Sequence, residues 1–299
     1  MTAPQPEKLL ECISEAAERL AQEASQGTPF VRGLVRGRRY GNVILAGGIR
    51  GEYAIIGDIH GDVETLDAIL SRIDGADIII FLGDYVDRGR PEGQVEALCR
   101  VLTLYLEGRA LPLRGNHEPP RGLVPSPHDF PDALIKLYGM STAARIYEKA
   151  ARLFDLLPHA LVVEGSFLAV HGGPPTRGFE KPLVEYLAGG TPDPPLEILE
   201  EILWNDPVEA DAIRLPSIRG AGFMWGRPTT SRALEKARAK IIVRGHEATY
   251  GGYKWNHEGR VLTLFSVRAP PYYSEAAGYL YTEGCEPGPG RDECVRLVY

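Results

Sequence analysis

Five short stretches of this chain combine glycine with side chains that bind metals or anions. They are Gly57-Asp58-Ile59-His60-Gly61-Asp62, Gly83-Asp84-Tyr85-Val86-Asp87-Arg88-Gly89, Gly115-Asn116-His117-Glu118, His171-Gly172-Gly173 and Arg244-Gly245-His246. Asp58 and His60 stand two apart, so at the end of an extended strand both side chains can point the same way. A carboxylate oxygen beside an imidazole nitrogen suits manganese, iron or zinc better than calcium or magnesium. Asp84 supplies a further carboxylate, and Asp87 and Arg88 follow in the same loop. This grouping suits a metal ligand, an acid that orients another side chain, and a phosphate clamp. Asn116 offers a neutral oxygen ligand, and His117 is a proton donor near neutral pH. Any one stretch alone could be a surface turn with ordinary ion pairs; the repetition argues for a site.

Strands must position these groups. Residues 76–82 are rich in β-branched side chains and read as a buried strand ending at Gly83-Asp84. Residues 52–56 run into Asp58 in the same way, and residues 110–113 into Asn116. Helices are expected between them, over residues 63–72 with Asp62 as N-cap, and from Pro91 through Tyr105. Such β–α units deliver polar groups to one carboxyl-terminal sheet edge, where open α/β sheets bind ligands. A hairpin over residues 160–164 and 167–170 carries His171, and a strand over residues 240–243 carries His246. Residues 6–24 form an amphipathic helix with no evident chemistry, and a Gly47-Gly48 turn separates strands 41–46 and 52–56. Residues 219–226 read as a glycine loop bearing one arginine, and 261–267, 278–281 and 294–298 as β. His128, His159 and His257 lie outside this pattern and read as structural. No repeat or linker divides the chain, so one domain over residues 1–299 is expected, with an N-terminal helical segment to about residue 27.

Composition narrows the function classes. Apolar content of 44% and charged content of 24% are those of a globular protein. A net charge of −7 argues against a broad nucleic-acid surface, which needs clustered cations; the local cluster at Arg36, Arg38 and Arg39 does not change that. No apolar run is long enough to span a bilayer and no leader pattern opens the chain, so a cytoplasmic, non-membrane protein is expected. The four cysteines lack metal-type spacing. Cys99 reads as a small core residue. Cys285 and Cys294 flank a Pro/Gly-rich loop where a disulfide is sterically possible, but a reducing compartment makes it the minority reading unless the organism is a hyperthermophile. Few Asn and Gln, with 24 prolines, lean towards a thermophile.

The five stretches, with Leu203-Trp204-Asn205-Asp206-Pro207 and Arg219-Gly220-Ala221-Gly222-Phe223, resemble the phosphoprotein phosphatase family of metallophosphoesterases, in family order from Glu52 to Phe265. The resemblance implies an α/β, calcineurin-like phosphoesterase fold: a central β-sandwich of mixed sheets flanked by helices and built on βαβαβ units. It implies two divalent transition-metal ions, manganese foremost, with iron or zinc as alternatives. Asp58, His60 and Asp84 would hold one, Asp84, Asn116, His171 and His246 the other, with Asp84 bridging. A hydroxide on this pair would attack phosphorus in line. His117, oriented by Asp87, would protonate the leaving group, and Arg88 and Arg219 would neutralise the equatorial oxygens. Arg88, Arg219, Asn116 and Tyr272 form the implied substrate-binding set. Arg114 and Arg244 would support their loops, and Asp206 is either a supporting group behind the site or a plain helix-terminal acid.

The implied activity is a metal-dependent phosphatase acting on phosphoserine and phosphothreonine in phosphoproteins or phosphopeptides; the sequence names no regulatory subunit. Relatives often carry Asn-Tyr-Cys where this chain reads Ser266-Val267-Arg268-Ala269-Pro270-Pro271-Tyr272-Tyr273, leaving open whether Tyr272 or Tyr273 overhangs the cleft. The carboxyl terminus lacks the family's eukaryotic tail, which points to a stand-alone prokaryotic, archaeal enzyme. One rival is a dinucleoside polyphosphate hydrolase, for which Tyr85, Trp225 and Tyr250 could stack a base. Another is a non-catalytic phosphopeptide-binding module, disfavoured because every ligand position is filled.

Overall fold

Alternation along the strands decides the architecture. In β4 (Ile78–Phe81), Ile78 and Ile80 face one core while Ile79 and Phe81 face another. β7 (Phe167–Val170) divides likewise, Phe167 and Ala169 from Leu168 and Val170. A strand apolar on both faces must be covered on both. In this computed structural model, which describes residues 3–31, 33–191 and 194–299, two sheets therefore stack around a shared inner core, with helices on both outer faces.

The first sheet has five strands in the order β15-β14-β3-β4-β5: β3 (Tyr53–Ile56), β4, β5 (Ala110–Pro112), β14 (Ala277–Tyr281) and β15 (Val295–Val298). Its β3, β4 and β5 are parallel. The second has seven strands, β1-β2-β6-β7-β11-β13-β12: β1 (Val35–Tyr40), β2 (Val43–Ile49), β6 (Ala160–Val163), β7, β11 (Ile241–Arg244), β12 (Tyr253–Asn256) and β13 (Val261–Leu264). A small third sheet joins β8 (Asp206–Pro207), β9 (Arg214–Pro216) and β10 (Phe223–Trp225). Helices α1 (Pro6–Gln26), α2 (Val63–Leu70), α3 (Pro91–Leu106), α4 (Phe130–Tyr138) and α5 (Met140–Leu156) contribute to the core outside the five-stranded sheet. Helices α6 (Leu183–Ala188), α7 (Leu196–Trp204) and α8 (Arg227–Ala237) cover the other face.

The capping chemistry agrees with the sequence. Asp62 accepts the Thr65 amide at 3.1 Å to start α2, Pro91 opens α3, and Gly27 ends α1 in the left-handed region with φ 69°. Four expectations are corrected. Gly47 and Gly48 lie inside β2 rather than in a turn, paired with an unforeseen β1. Three of the eight residues of the glycine loop at 219–226 form strand β10. Arg39, one of the local basic cluster, is not a surface cation but is buried against Glu23 at 2.9 Å. Cys285 and Cys294, for which a disulfide was the minority expectation, are joined in one.

Candidate metal centre

The site forms where the carboxyl ends of both sheets meet. β3 delivers Asp58 and His60, β4 delivers Asp84, and β5 delivers Asn116 and His117 from one sheet; β7 delivers His171 and β11 His246 from the other. A parallel bridge between Asp58 and Phe265 stitches the seam. Gly57 is required there, because a Cβ would lie 2.3 Å from the Leu264 carbonyl oxygen. His60, Asp84, Asp87, Arg88 and His246 all adopt positive φ, between 44° and 69°. Non-glycine residues rarely do so, and such backbone strain concentrates at functional sites.

Asp84 sits at the centre. Its Oδ2 is 3.4 Å from His60 Nε2 and its Oδ1 is 3.4 Å from His171 Nε2. Asp58 Oδ2 lies 3.9 Å from His60 Nε2. Asn116 Oδ1 is 2.8 Å from both His171 Nε2 and His246 Nδ1. The ring tautomers follow from the other contacts. His60 Nδ1–H donates to the Val86 carbonyl at 2.8 Å and His171 Nδ1–H to that of Leu82 at 2.9 Å. Each Nε2 lone pair then faces acceptor oxygens, an arrangement that is repulsive unless positive charge lies between them. Burial pushes the His60 imidazole down to about 4, keeping it a neutral ligand. Burial also opposes charge on His171, yet the Asp84 carboxylate draws its pKa upward. Although burial alone would raise Asp84, the surrounding imidazoles hold it well below the usual carboxylate range. His246 Nε2 is buried with no partner. Nitrogen and oxygen donors so placed fit two transition-metal cations sharing Asp84, and ligand atoms of Asp84, His171 and His246 lie within 4.8 Å of one another.

Around this set stand the groups that would meet substrate. His117 Nδ1 lies 2.5 Å from Asp87 Oδ2, and its main-chain N–H donates to Asp84 Oδ1 at 2.9 Å. Arg219 Nε donates to Asp206 Oδ2 at 2.5 Å, while Arg244 donates to the other oxygen at 2.9 Å. Asp206 is thus a support for two arginines rather than a plain helix-terminal acid. Arg114 holds the Glu118 carbonyl, as a loop-supporting residue should. Tyr272 stacks 5.5 Å from the His60 ring, whereas Tyr273 is 69% exposed; Tyr272 therefore overhangs the site. Together with Arg88 and Arg219 it lines a pocket of about 180 Å³ above His60, Asp84 and His117.

Two site residues escaped the sequence reading. His128, read as structural, places Nδ1 2.7 Å from the same Asp87 oxygen that serves His117, and its Nε2 meets the Tyr147 hydroxyl at 2.9 Å. Nothing in the proline-rich residues 119–131 signals this. Glu118, fully buried, accepts the amides of Asp84 and Tyr85 at 2.8 Å and of Gly115 at 3.0 Å, lacing the ends of β4 and β5 together. Its position directly after His117 was the available hint.

Residues 52–250 match the calcineurin-like phosphoesterase family. The chain belongs to that family. This phosphoesterase is 30% identical over 220 residues to the serine/threonine-protein phosphatase 4 catalytic subunit of Saccharomyces cerevisiae, covering 73% of this chain and 69% of that one. It is 33% identical over 223 residues to a probable serine/threonine-protein phosphatase of Encephalitozoon cuniculi, covering 74% of this chain. It spans 48% of that relative's length. Among solved structures, a protein serine/threonine phosphatase of Saccharomyces cerevisiae superposes with a TM-score of 0.71 at 22% identity, covering 99% of this chain and 89% of the other, a likeness of fold. Among the described residues, no helix of the phosphoesterase is long and apolar enough to cross a membrane.

Proposed function

We propose that this chain is a metal-dependent protein phosphatase that hydrolyses phosphoserine and phosphothreonine monoesters, working as one catalytic unit over its length. The observation that carries the reading is Asp84, whose two oxygens each face an imidazole Nε2 lone pair at 3.4 Å. Asp58, His60 and Asp84 would hold one cation, and Asp84, Asn116, His171 and His246 the second, with manganese the first choice for reconstitution. When bound, such a pair acidifies water and neutralises charge on phosphoryl oxygens.

The protein's own groups do the rest. Arg88 and Arg219 flank the pocket and would orient the non-bridging phosphoryl oxygens, where charge gathers in the transition state. Asp206 fixes Arg219 through its Nε, which sets the direction of the guanidinium. Asp87 accepts Nδ1–H of His117, leaving a proton on Nε2 for the departing serine or threonine oxygen once the ring is charged. Tyr272 roofs the pocket and limits the entry of water.

The dinucleotide-hydrolase reading loses its support. Tyr85 and Trp225, offered as base-stacking side chains, are fully buried, and Tyr250 does not line the pocket. The test is an assay after chelation and manganese re-addition, comparing a phosphothreonine peptide with diadenosine tetraphosphate. Metal-dependent phosphate release from the peptide is expected; preference for the dinucleotide would overturn the proposal.

A further inference from the structure

Beside the catalytic pocket lies a larger open groove of about 780 Å³. The two spaces share Arg88 and adjoin again where Pro271, on the groove, leads into Tyr272, on the pocket. The groove runs along the first turns of α2 and α3 and residues 268–271. Asp62 holds this geometry: Oδ1 caps α2, and Oδ2 accepts the main-chain amides of Arg268 and Ala269 at 2.8 Å each.

The charge lining the groove is unusual for this chain. Arg72, Arg88, Arg90 and Arg268 face it against Asp62, Glu64 and Glu92, with Tyr299 also on its wall, so its side chains carry one positive charge in excess in a protein of net charge −7. Elsewhere the buried arginines Arg39, Arg114 and Arg244 each pair with a carboxylate. Arg88, Arg90 and Arg268 pair with none among the described residues, and Arg268 Nε is buried with no hydrogen-bond partner. Asp62 is already engaged with main-chain amides, and Glu64 and Glu92 sit in first helical turns, where the helix dipole favours them. With Arg88 turned to the phosphoryl group, two guanidinium groups, Arg90 and Arg268, have no carboxylate partner beside a phosphate-sized pocket and call for an anion from outside the chain.

We propose that the groove binds an anionic side chain of the substrate, a carboxylate or a second phosphate, next to the phosphorylated residue. Arg88 spans both spaces, while Arg90 and Arg268 select the flanking charge. The volume lies in the range of ligand-binding pockets and suits a short acidic segment. This inference rests on the protein-phosphatase reading.

The test uses the manganese-loaded full chain on three phosphothreonine peptides, flanked by alanine, by glutamate or by a second phosphothreonine, with p-nitrophenyl phosphate as a reference that does not reach the groove. The expected preference in kcat/KM for a charged flank is about tenfold, mainly through KM, the scale of two or three partly exposed charge pairs. Preference for glutamate would identify carboxylate as the natural partner, and preference for the doubly phosphorylated peptide a phosphate. The Arg90→Ala/Arg268→Ala variant should bring all three peptides to within about twofold while keeping aryl phosphate hydrolysis. If that variant loses aryl phosphate hydrolysis, Arg90→Ala alone, on an exposed side chain, carries the same comparison. Equal rates in the unaltered protein, or a preference that survives in the variant, would overturn the inference alone. Aryl phosphate hydrolysis with no release from any peptide would instead overturn the reading beneath it.

Discussion

Asp87 Oδ2 is shared by two imidazoles, at 2.5 Å from His117 Nδ1 and 2.7 Å from His128 Nδ1. Its other oxygen accepts the Phe130 amide at 2.6 Å, so the carboxylate is held on every side. Burial would raise its pKa, but the hydrogen bonds from His117 and His128 outweigh that and hold it ionised. A fixed anion behind His117 both sets the ring's tautomer and favours its charged form.

If His117 gives its proton to the leaving oxygen, replacing it should matter most where the leaving group is poor. His117→Asn is expected to slow an alkyl phosphate by about 10²- to 10⁴-fold and an aryl phosphate much less. Steady-state kcat on both substrates checks this; equal losses would remove His117 from the role of acid.

His128 does not reach the pocket, so its loss should act through Asp87 alone. His128→Phe is expected to lower kcat by about tenfold, the worth of one hydrogen bond to a charged group, with KM little changed. Metal content by plasma mass spectrometry should stay at the level of the unaltered protein, and a variant depleted of metal would point to a different role.

Asp84 joins the two halves of the donor set, and Asp84→Asn removes the charge both halves share. Both cations should be lost together, with activity near background. Chelation of the unaltered protein should lower its melting temperature as well, since a ligand at a hundred times its Kd contributes about 2.7 kcal/mol to stability. Retention of one full equivalent of metal in the variant would argue that Asp84 serves a single cation.

His159 gives a pH dependence remote from the metal donors. It is fully buried, Nε2–H donating to the Leu187 carbonyl at 3.0 Å while Nδ1 has no partner, and burial pushes its pKa down to about 4. The unfolded chain takes up this proton near pH 6.5. Stability from the neutral ring is therefore complete above that pH and falls as pH drops towards 4, by roughly 3 kcal/mol. Urea unfolding at pH 7, 5.5 and 4.5 should show a shallower pH slope for His159→Gln, although that variant starts less stable. An unchanged slope would assign the acid sensitivity to other groups.

What was legible in the sequence is what a strand end makes periodic. Asp58, His60, Asp84, Asn116, His171 and His246 all stand just past an apolar run, and the fold brings all six together. Strand β1 was missed because residues 35–40, with three arginines, carry little apolar signal, and the buried Arg39 is satisfied by Glu23, Asn42 and the Gly41 and Leu156 carbonyls, contacts no local pattern shows. Strands β8 to β10 have two or three residues each, too few for any period to register. His128 depends on where a proline-rich segment happens to lie across Asp87, a contact 41 residues long in sequence with no local pattern. Between Tyr272 and Tyr273 composition could not choose; the backbone did, turning Tyr273 outward with φ 49°.

The main-chain N–H of His246 donates to Asp58 Oδ1 at 2.8 Å across 188 residues of sequence. A chain still being synthesised acquires Asp58, His60 and Asp84 early, but His246 can join them only once β11 has left the ribosome and paired beside β7. Contacts of such span form late and carry the greatest loop-closure cost. On the proposed reading, an unfinished or carboxyl-terminally truncated product would expose a partial donor set without activity, and phosphate release would itself report that translation has passed His246.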